Sequence, residues 1–227
     1  VIDGEFVVSG HLRLARGEGD LEGLEAYAKI AAEHGLPLQL MSGAAFRRRY
    51  PWLGAAAVGG SLCSSDGHAN PRLVSPAFAR AAREAGADVR ELTALEHAEH
   101  DGNRFLLRAG EQTYEADWLV NAAGAWAGTL AERFGDAVPM KPIYPNMWVT
   151  EPLPYFLEHN LAVFGGGIYA RQVARGNCAI GGGRGHGDGD FAQPSSDTTR
   201  AVMRDACALL PALRDALLIR TWSGVEG

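Results

Sequence analysis

Four segments of the chain carry apolar residues at helical spacing and end at a glycine or a proline. In the first segment, apolar side chains recur at Leu21, Leu24 and Tyr27, and acidic residues cluster at its start. Glycine and proline are the residues that most often close a helix. The pattern predicts helices over residues 21–34, 71–85, 125–134 and 196–210.

The segments between these helices have the shorter period of β-strands. Strands are predicted over residues 7–15, 88–92, 94–99, 104–109, 112–120, 168–173, 178–180 and 217–221. Turn residues at 100–103 and 110–111 join three of these strands into an antiparallel meander, and a turn at 174–177 joins two into a hairpin. The sequence therefore predicts a mixed α/β (α+β) fold, with a change of domain near residue 138.

Composition limits the partners of this chain. The 227 residues carry a net charge of -6, and their only basic run is the arginines at 47–49, which we interpret as a solvated helix end; this argues against a nucleic-acid partner. No apolar run reaches the roughly 18 residues of a membrane span. Cys63, Cys178 and Cys207 are widely spaced, which is typical of free thiols in a reducing cytoplasm. A cytoplasmic protein is expected.

Small residues end one predicted strand and open the helix that follows it. Residues 115–126 read as a buried strand that stops at Ala122, Ala123 and Gly124. Open α/β sheets bind ligands at the carboxyl ends of their strands, and small residues let a flat ligand approach the backbone. A nucleotide cofactor is the leading candidate. A tight turn packed against protein alone explains the same residues.

Two polar segments are candidate loops. Residues 66–71 hold His68, which as a general base would need a partner, and Asn70, which suits the cap of a surface turn; we favour the turn. Residues 181–190 are rich in glycine and could cradle a phosphate, but no helix follows them, so a flexible surface loop is favoured. His186, Asp188 and Asp190 are expected to face water, and no metal site is predicted.

Several of these pieces, taken together, resemble the FAD-dependent amine and amino-acid oxidoreductases of the D-amino acid oxidase superfamily, which includes glycine oxidase and sarcosine oxidase. The resemblance spans nearly the whole chain and is nearest to the branch of opine oxidase and the small subunit of hydrogen cyanide synthase. Its parts lie in family order at residues 10–15, 66–71, 85–87, 120–126, 138–139 and 222–224.

This resemblance implies a partial Rossmann-like FAD-binding domain and a substrate domain with a large mixed or antiparallel sheet. The implied division is 1–65 (substrate domain), 66–136 (FAD-binding domain with the meander), 137–220 (substrate domain) and 221–227 (return to the FAD-binding domain). The family's glycine-rich fingerprint would precede Val1, and its flavin-covering segment would follow Gly227. An interior fragment is therefore expected, without FAD when isolated.

The resemblance also implies which residues meet the cofactor and the substrate. FAD contacts would fall on Leu95, Ala122, Ala123, Gly124, Trp126 and Gly224. Glycine oxidase-like members carry a carboxylate-binding arginine where this chain has Glu226, which would instead suit a cationic amine or guanidinium. Arg171 is the candidate for a substrate carboxylate, although an ordinary salt bridge is an alternative. Further candidates for substrate positioning are Tyr169, Trp148 and His68.

The expected activity is oxidation of the C–N bond of an amino acid, opine or related amine to an imine, with FAD carrying the chemistry and no catalytic side chain required. The implied partners are a small-molecule amine or amino-acid substrate and, beyond it, a partner subunit or further copies of the chain. The alternative is a cofactor-free module for interaction or assembly. An NAD-dependent dehydrogenase lacks its glycine-rich loop here.

Overall fold

The computed structural model describes residues 2–227 and contains five α-helices within them. Each of the four predicted helices is confirmed within a few residues at its ends, and a short additional helix precedes the tyrosine at position 50. The helices are α1 (Glu18–Glu33), α2 (Gly43–Arg49), α3 (Pro71–Glu84), α4 (Ala127–Glu132) and α5 (Ser196–Leu209), with 3₁₀ turns at Gly124–Trp126 and Pro211–Leu213. None of the helices in the described part is long and apolar enough to cross a membrane.

Eight strands form one large mixed sheet. The strands of the chain are β1 (His11–Ala15), β2 (Gln39–Ser42), β3 (Gly59–Cys63), β4 (His97–His100), β5 (Phe105–Ala109), β6 (Gln112–Ala116), β7 (Pro145–Pro152), β8 (Asn160–Val163), β9 (Tyr169–Gln172), β10 (Asn177–Arg184), β11 (His186–Gly187), β12 (Ala192–Gln193) and β13 (Leu218–Ser223). The large sheet has the order β13-β7-β10-β9-β8-β1-β3-β2, with β1 and β8 parallel and the other neighbours antiparallel. The predicted meander (β4-β5-β6) and the β9–β10 hairpin are both confirmed.

The two faces of the large sheet have different coverings. Side chains alternate between faces along each strand, and on one face Leu12, Trp148, Leu161 and Ile180 are almost fully buried in the main core. Helices α2 and α5 cover this face through residues such as Phe46. The opposite face, which carries the odd-numbered residues of β9, holds the open cavity described below.

The predicted strand at 88–92 does not form. Residues 87–90 are irregular, residues 91–92 form a turn, and Leu92 is fully exposed with φ +54°. A strand needs a neighbour that pairs with its backbone, and within the described residues no strand pairs with this segment. The local propensity of Val89 and Leu92 is therefore not realised.

The buried strand predicted before the small residues does not form as expected. Strand β6 ends at Ala116, residues 117–123 are irregular, and Trp118 and Val120 are 88% and 85% exposed. A hydrophobic strand of a parallel sheet is buried by its neighbours, and no strand in residues 2–227 pairs with this segment. The turn into a helix does occur, through the 3₁₀ turn at Gly124–Trp126 and then α4.

The glycine cluster near residue 181 belongs to a strand, not to a surface loop as expected. Residues 181–184 continue β10, and β11 and β12 then form a short hairpin. A Cβ atom added at Gly182 would lie 2.0 Å from the carbonyl oxygen of Gly167. The glycines are there because neighbouring backbone and side chains pack directly against the strand.

Cys63, Cys178 and Cys207 are free thiols, as predicted. Cys178 is buried in the core, and this burial raises the pKa of its thiol to about 11. Cys63 and Cys207 are half-buried. A neutral thiol that solvent cannot reach is unreactive, so Cys178 acts as a small apolar core residue.

Candidate functional site

An open cavity of about 400 Å³ lies on the face of the large sheet opposite the main core. It is formed where β1, β8, β9 and β10 lie side by side and the loop at 66–68 crosses their ends. The lining includes three residues predicted from the sequence as substrate-positioning, His68, Tyr169 and Arg171. The structure therefore brings together side chains that are distant from one another in the chain.

Arg171 is the cation of this cavity. Its Nη1 donates a hydrogen bond to the carbonyl oxygen of Ala69 at 3.0 Å, and partial burial lowers the pKa of its guanidinium. In the described part of the chain, no carboxylate lies within 4 Å of it. A half-buried guanidinium with unused donors is a receptor for an anion.

His68 lies beside this arginine, in surroundings that disfavour its charged form. Burial and, secondarily, the positive charge of Arg171 lower the pKa of the imidazole. Its Nδ1 lies 3.2 Å from the Ser9 hydroxyl, and its backbone pairs with Val7. The hydrogen-bond neighbour of this ring nitrogen is thus a hydroxyl group and not a carboxylate. A carboxylate that would orient His68 as a general base is not among its hydrogen-bond partners in the described residues.

Tyr169 crosses the sheet surface toward a second charged residue. Its ring lies directly over Gly181, where an added Cβ would stand 2.1 Å from the ring, and its hydroxyl donates to the sulfur of Met147 at 3.1 Å. Burial raises the pKa of the phenol, and the Glu226 carboxylate raises it further. Glu226 is held near this edge by a backbone pair with Ile143. Arg171 and Tyr169 therefore line the cavity, whereas Glu226 acts on Tyr169 from outside its lining.

The structure separates Trp148 from the other predicted substrate residues. Trp148 is fully buried on the opposite face of β7, and its indole N–H donates to the Thr199 hydroxyl of α5 at 3.1 Å. Its neighbour Met147 is the β7 residue that faces the cavity. The alternation of side chains along a strand explains this, so assigning Trp148 to the substrate site is corrected.

The predicted cofactor residues are mostly exposed. Ala122 and Gly124 are open to solvent; Gly124 has φ +55°, and a Cβ added there would meet nothing within 4 Å. Asn121 fixes the bend by accepting from the Ala123 N–H at 3.3 Å and donating to the Ala127 carbonyl at 2.9 Å. The backbone at Gly124 is therefore unobstructed within the described residues.

The remaining predicted cofactor residues lie at separate points on the surface. Leu95 is 38% exposed just before the meander, and Gly224 is exposed just beyond β13. Trp126 is about half exposed, and its indole nitrogen donates to the Asp190 carboxylate at 2.8 Å. Leu95 lines neither of the two cavities described for this chain.

His186, Asp188 and Asp190 form no metal-binding cluster, as no group of three such ligands occurs within residues 2–227. Instead, the Asp188 carboxylate accepts the backbone N–H groups of Asp190 and Phe191, which lowers the pKa of Asp188. Asp190 binds the indole of Trp126. His186, Asp188 and Asp190 are all exposed, as the sequence predicted, and the two carboxylates also accept hydrogen bonds from the protein itself.

Sequence reasoning did not single out several residues that line the cavity. His11 and Asp66 lie 3.2 Å apart at its wall, and Met147 and Asn160 complete it. The only signal was the position of His11 at the start of an alternating strand and of Asp66 in the 66–71 loop. Which face of the strand would be open could not be read from that alternation.

Comparison with known proteins places the chain in a family. Residues 2–227 match the family DAO, described as FAD dependent oxidoreductase. Glycine oxidase from Geobacillus kaustophilus is 26% identical over 227 residues, which cover 99% of this chain and 59% of that protein. One of the subunits of opine oxidase from Rhizobium meliloti is 29% identical over 176 residues, 78% of this chain and 46% of that protein.

Hydrogen cyanide synthase subunit HcnC from Pseudomonas protegens is 28% identical over 189 residues, which cover 81% of this chain and 44% of that protein. The crystal structure of the Geobacillus glycine oxidase superposes with a TM-score of 0.87 at 24% identity, covering 99% of this chain and 60% of that chain. The chain spans about half the length of the curated relatives it matches. The resemblance read from the sequence is confirmed, and the chain belongs to the DAO family of FAD-dependent oxidoreductases.

Proposed function

We propose that the protein containing this chain oxidises the C–N bond of an amino acid, opine or related amine to an imine, which water then hydrolyses to a carbonyl product. Bound FAD would accept the hydride that leaves the carbon beside the nitrogen. Membership of the DAO family and the named activities of the relatives support this proposal.

The observation that carries the proposal is the unpaired guanidinium of Arg171 in the cavity. An arginine in a half-buried cavity without a carboxylate partner binds a substrate carboxylate through paired hydrogen bonds. Its contact with the Ala69 carbonyl uses one N–H and fixes the direction of the remaining donors. We therefore propose that the substrate is an amino acid or an N-substituted amino acid.

The same charge assists the chemistry at the amine nitrogen. Oxidation needs a free electron pair on nitrogen to form the C=N bond, so the ammonium must first release its proton. Arg171 and the partial desolvation of the cavity disfavour a second positive charge beside them, which lowers the pKa of a bound ammonium. The lowered pKa of His68 likewise disfavours a positive charge on its imidazole. No protein group needs to act as a catalytic base.

The negative charge of Glu226 favours substrates that carry a second cationic group. The same charge raises the pKa of the Tyr169 phenol, so Glu226 lies within electrostatic reach of a residue that lines the cavity. We propose that it receives a cationic group of the substrate, such as a guanidinium or a second amine, while Tyr169 contacts the atoms between. A simple glycine-like substrate leaves that carboxylate without a partner.

For the cofactor, we propose that Ala122, Ala123 and Gly124 lie against FAD, with Leu95, Trp126 and Gly224 at its edges. The open backbone at Gly124 supports this placement. The proposed division follows from it: residues 66–136 and 221–227 join the FAD-binding domain, and 1–65 and 137–220 form the substrate domain. A partner subunit or a homo-oligomer is also proposed, because two of the relatives are named as subunits.

The test is Arg171→Met in the full-length enzyme, assayed with an amino acid and with the corresponding amine that lacks the carboxylate. We expect kcat/KM for the amino acid to fall roughly 30-fold or more, with little change for the amine. A roughly 30-fold loss corresponds to about 2 kcal/mol of transition-state stabilisation. Arg175→Met is the matched control, because Arg175 is exposed on the turn of the same hairpin. Equal losses for both substrates would contradict the role of Arg171.

For the 227-residue chain on its own, we retain a second proposal, a folded module that binds no FAD. The unpaired segment 117–123 favours it, because this part of the proposed cofactor domain is open to solvent in the described residues. Visible flavin absorbance of the purified chain after incubation with FAD would contradict this second proposal. A folded, colourless chain would support it.

A further inference from the structure

One side-chain contact joins the proposed cofactor segment to the substrate-domain hairpin. The indole N–H of Trp126, in the 3₁₀ turn directly after the small residues 122–124, donates to the Asp190 carboxylate at 2.8 Å. Asp190 lies 64 positions later, in the turn between β11 and β12. A hydrogen bond to a charged acceptor is among the stronger ones in proteins.

The turn that carries Asp190 is locked by its own hydrogen bonds. The Asp188 carboxylate accepts the N–H groups of Asp190 at 3.1 Å and Phe191 at 2.9 Å, and the Asp188 N–H donates to the Phe191 carbonyl at 3.2 Å. Gly189 takes the positive φ of +105° that the turn requires. Asp190 is therefore presented from a fixed backbone.

Trp126 is not fixed by close packing on this side. A cavity of about 250 Å³ lies beside the contact, lined by Trp126 and Asp190 together with Met140, Val138 and Glu132. The indole is about half exposed. Open volume separates the turn at 124–126 from the β11–β12 hairpin here. We therefore expect the hydrogen bond to fix the position of the indole, and of its turn, relative to the hairpin.

We propose that Asp190 is a positioning residue for the cofactor. By accepting the indole N–H of Trp126, it holds the segment at 122–126 in the orientation that receives FAD. This inference rests on the proposed function, since it takes FAD to lie against that segment. It adds a role for the β11–β12 hairpin, which contacts neither Arg171 nor the substrate cavity.

The test measures FAD affinity of the full-length protein by titrating the flavin-free form. We expect Asp190→Ala to weaken FAD binding about 10-fold, the value of one charge-assisted hydrogen bond. Asp190→Asn keeps an acceptor oxygen and should restore most of the affinity. Trp126→Phe should cause the same loss as Asp190→Ala, and the double variant should lose no more than either single variant.

Glu132→Gln is the matched control, because it removes a carboxylate from the same cavity without touching the indole. The visible circular dichroism of the bound flavin should change in Asp190→Ala and not in the control. Additive losses in the double variant, or unchanged FAD affinity in Asp190→Ala, would overturn the inference alone. A wild-type protein that binds no FAD would overturn the proposed function and this inference with it.

Discussion

Tyr169 lies flat across the sheet because residue 181 has no side chain. An added Cβ would stand 2.1 Å from its ring, and the hydroxyl reaches Met147 on the strand beyond. Gly181 is buried in the middle of β10. A glycine inside a strand ordinarily weakens it, and here that cost is offset by the direct packing of the aromatic ring.

Gly181→Ala should therefore displace the ring of Tyr169. We expect a loss of about 1–3 kcal/mol in the free energy of unfolding, as for other overpacked sites, and a higher KM. Urea unfolding and steady-state kinetics of the full-length enzyme check this. Gly19→Ala is the control, since nothing lies within 4 Å of a Cβ added there; equal effects of the two variants would contradict the packing argument.

His68 links the cavity to the pH dependence of stability. Burial lowers the pKa of its imidazole below the ordinary value of 6.5, and the charge of Arg171 lowers it further. Below about pH 6.5 the unfolded chain therefore binds a proton at this residue that the folded chain does not. Stability must fall as the pH drops from 6.5 toward the folded-state pKa, and level off below it.

His68→Gln should flatten that part of the stability profile. We expect the free energy of unfolding of the variant to change less between about pH 6.5 and pH 5 than that of the wild type. Urea unfolding at several pH values across this range measures it. The same slope in both proteins would show that His68 is not the group responsible.

At the scale of elements, the beginning of α3 serves two purposes. Asn70 caps the helix by accepting the Arg72 N–H at 3.1 Å, as the sequence predicted, and its amide donates to Glu5 at 2.9 Å. The same loop also places His68 at the cavity, and its Ala69 carbonyl oxygen accepts a hydrogen bond from Arg171. The same short loop therefore both caps the helix and lines the cavity.

Asn70→Ala should cost about 1 kcal/mol of stability, the usual value of a helix cap. Because the loop bears the acceptor for Arg171, we also expect a modest rise in KM for a carboxylate substrate. Asn70→Ser keeps an oxygen that can cap and should recover most of the stability. Thermal unfolding of the wild type and the two variants measures these differences in stability. A Ser variant as unstable as the Ala variant would contradict the capping role.

The elements show what local pattern can predict. Helices α1, α3 and α5 were predictable because apolar spacing and end residues act within a few turns. The strand expected at 88–92 and the last part, 117–120, of the strand expected at 112–120 were wrong, because a strand exists only where another strand pairs with it. The glycines of β10 suggested a loop for a similar reason, since their packing partners lie far away in the chain.

At the scale of the whole molecule, the segment at 117–124 is one of the places where the chain is open to solvent. Trp118 and Val120 are large and exposed, while Gly124 is unobstructed. Exposed apolar surface of this kind is typical of a place where something else packs. The proposed FAD-binding domain of the full-length protein gives this surface a partner.

Gly124→Val should abolish flavin retention in the full-length enzyme. The branched side chain would occupy the approach to the backbone and is strained at φ +55°. Gly124→Asn separates the two effects, because asparagine tolerates this backbone conformation while still adding a side chain. The ratio of flavin to protein absorbance after purification measures retention, and normal flavin content in the Val variant would count against the placement.

The sequence by itself determined the helices, the hairpin, the meander and the family, because spacing, end residues and ordered segments are local features that survive without a fold. Only the tertiary structure decided the site. It brought Arg171 beside His68, turned Trp148 into the core, and joined Trp126 to Asp190, since strand order and the choice of the open face depend on pairings between distant parts of the chain.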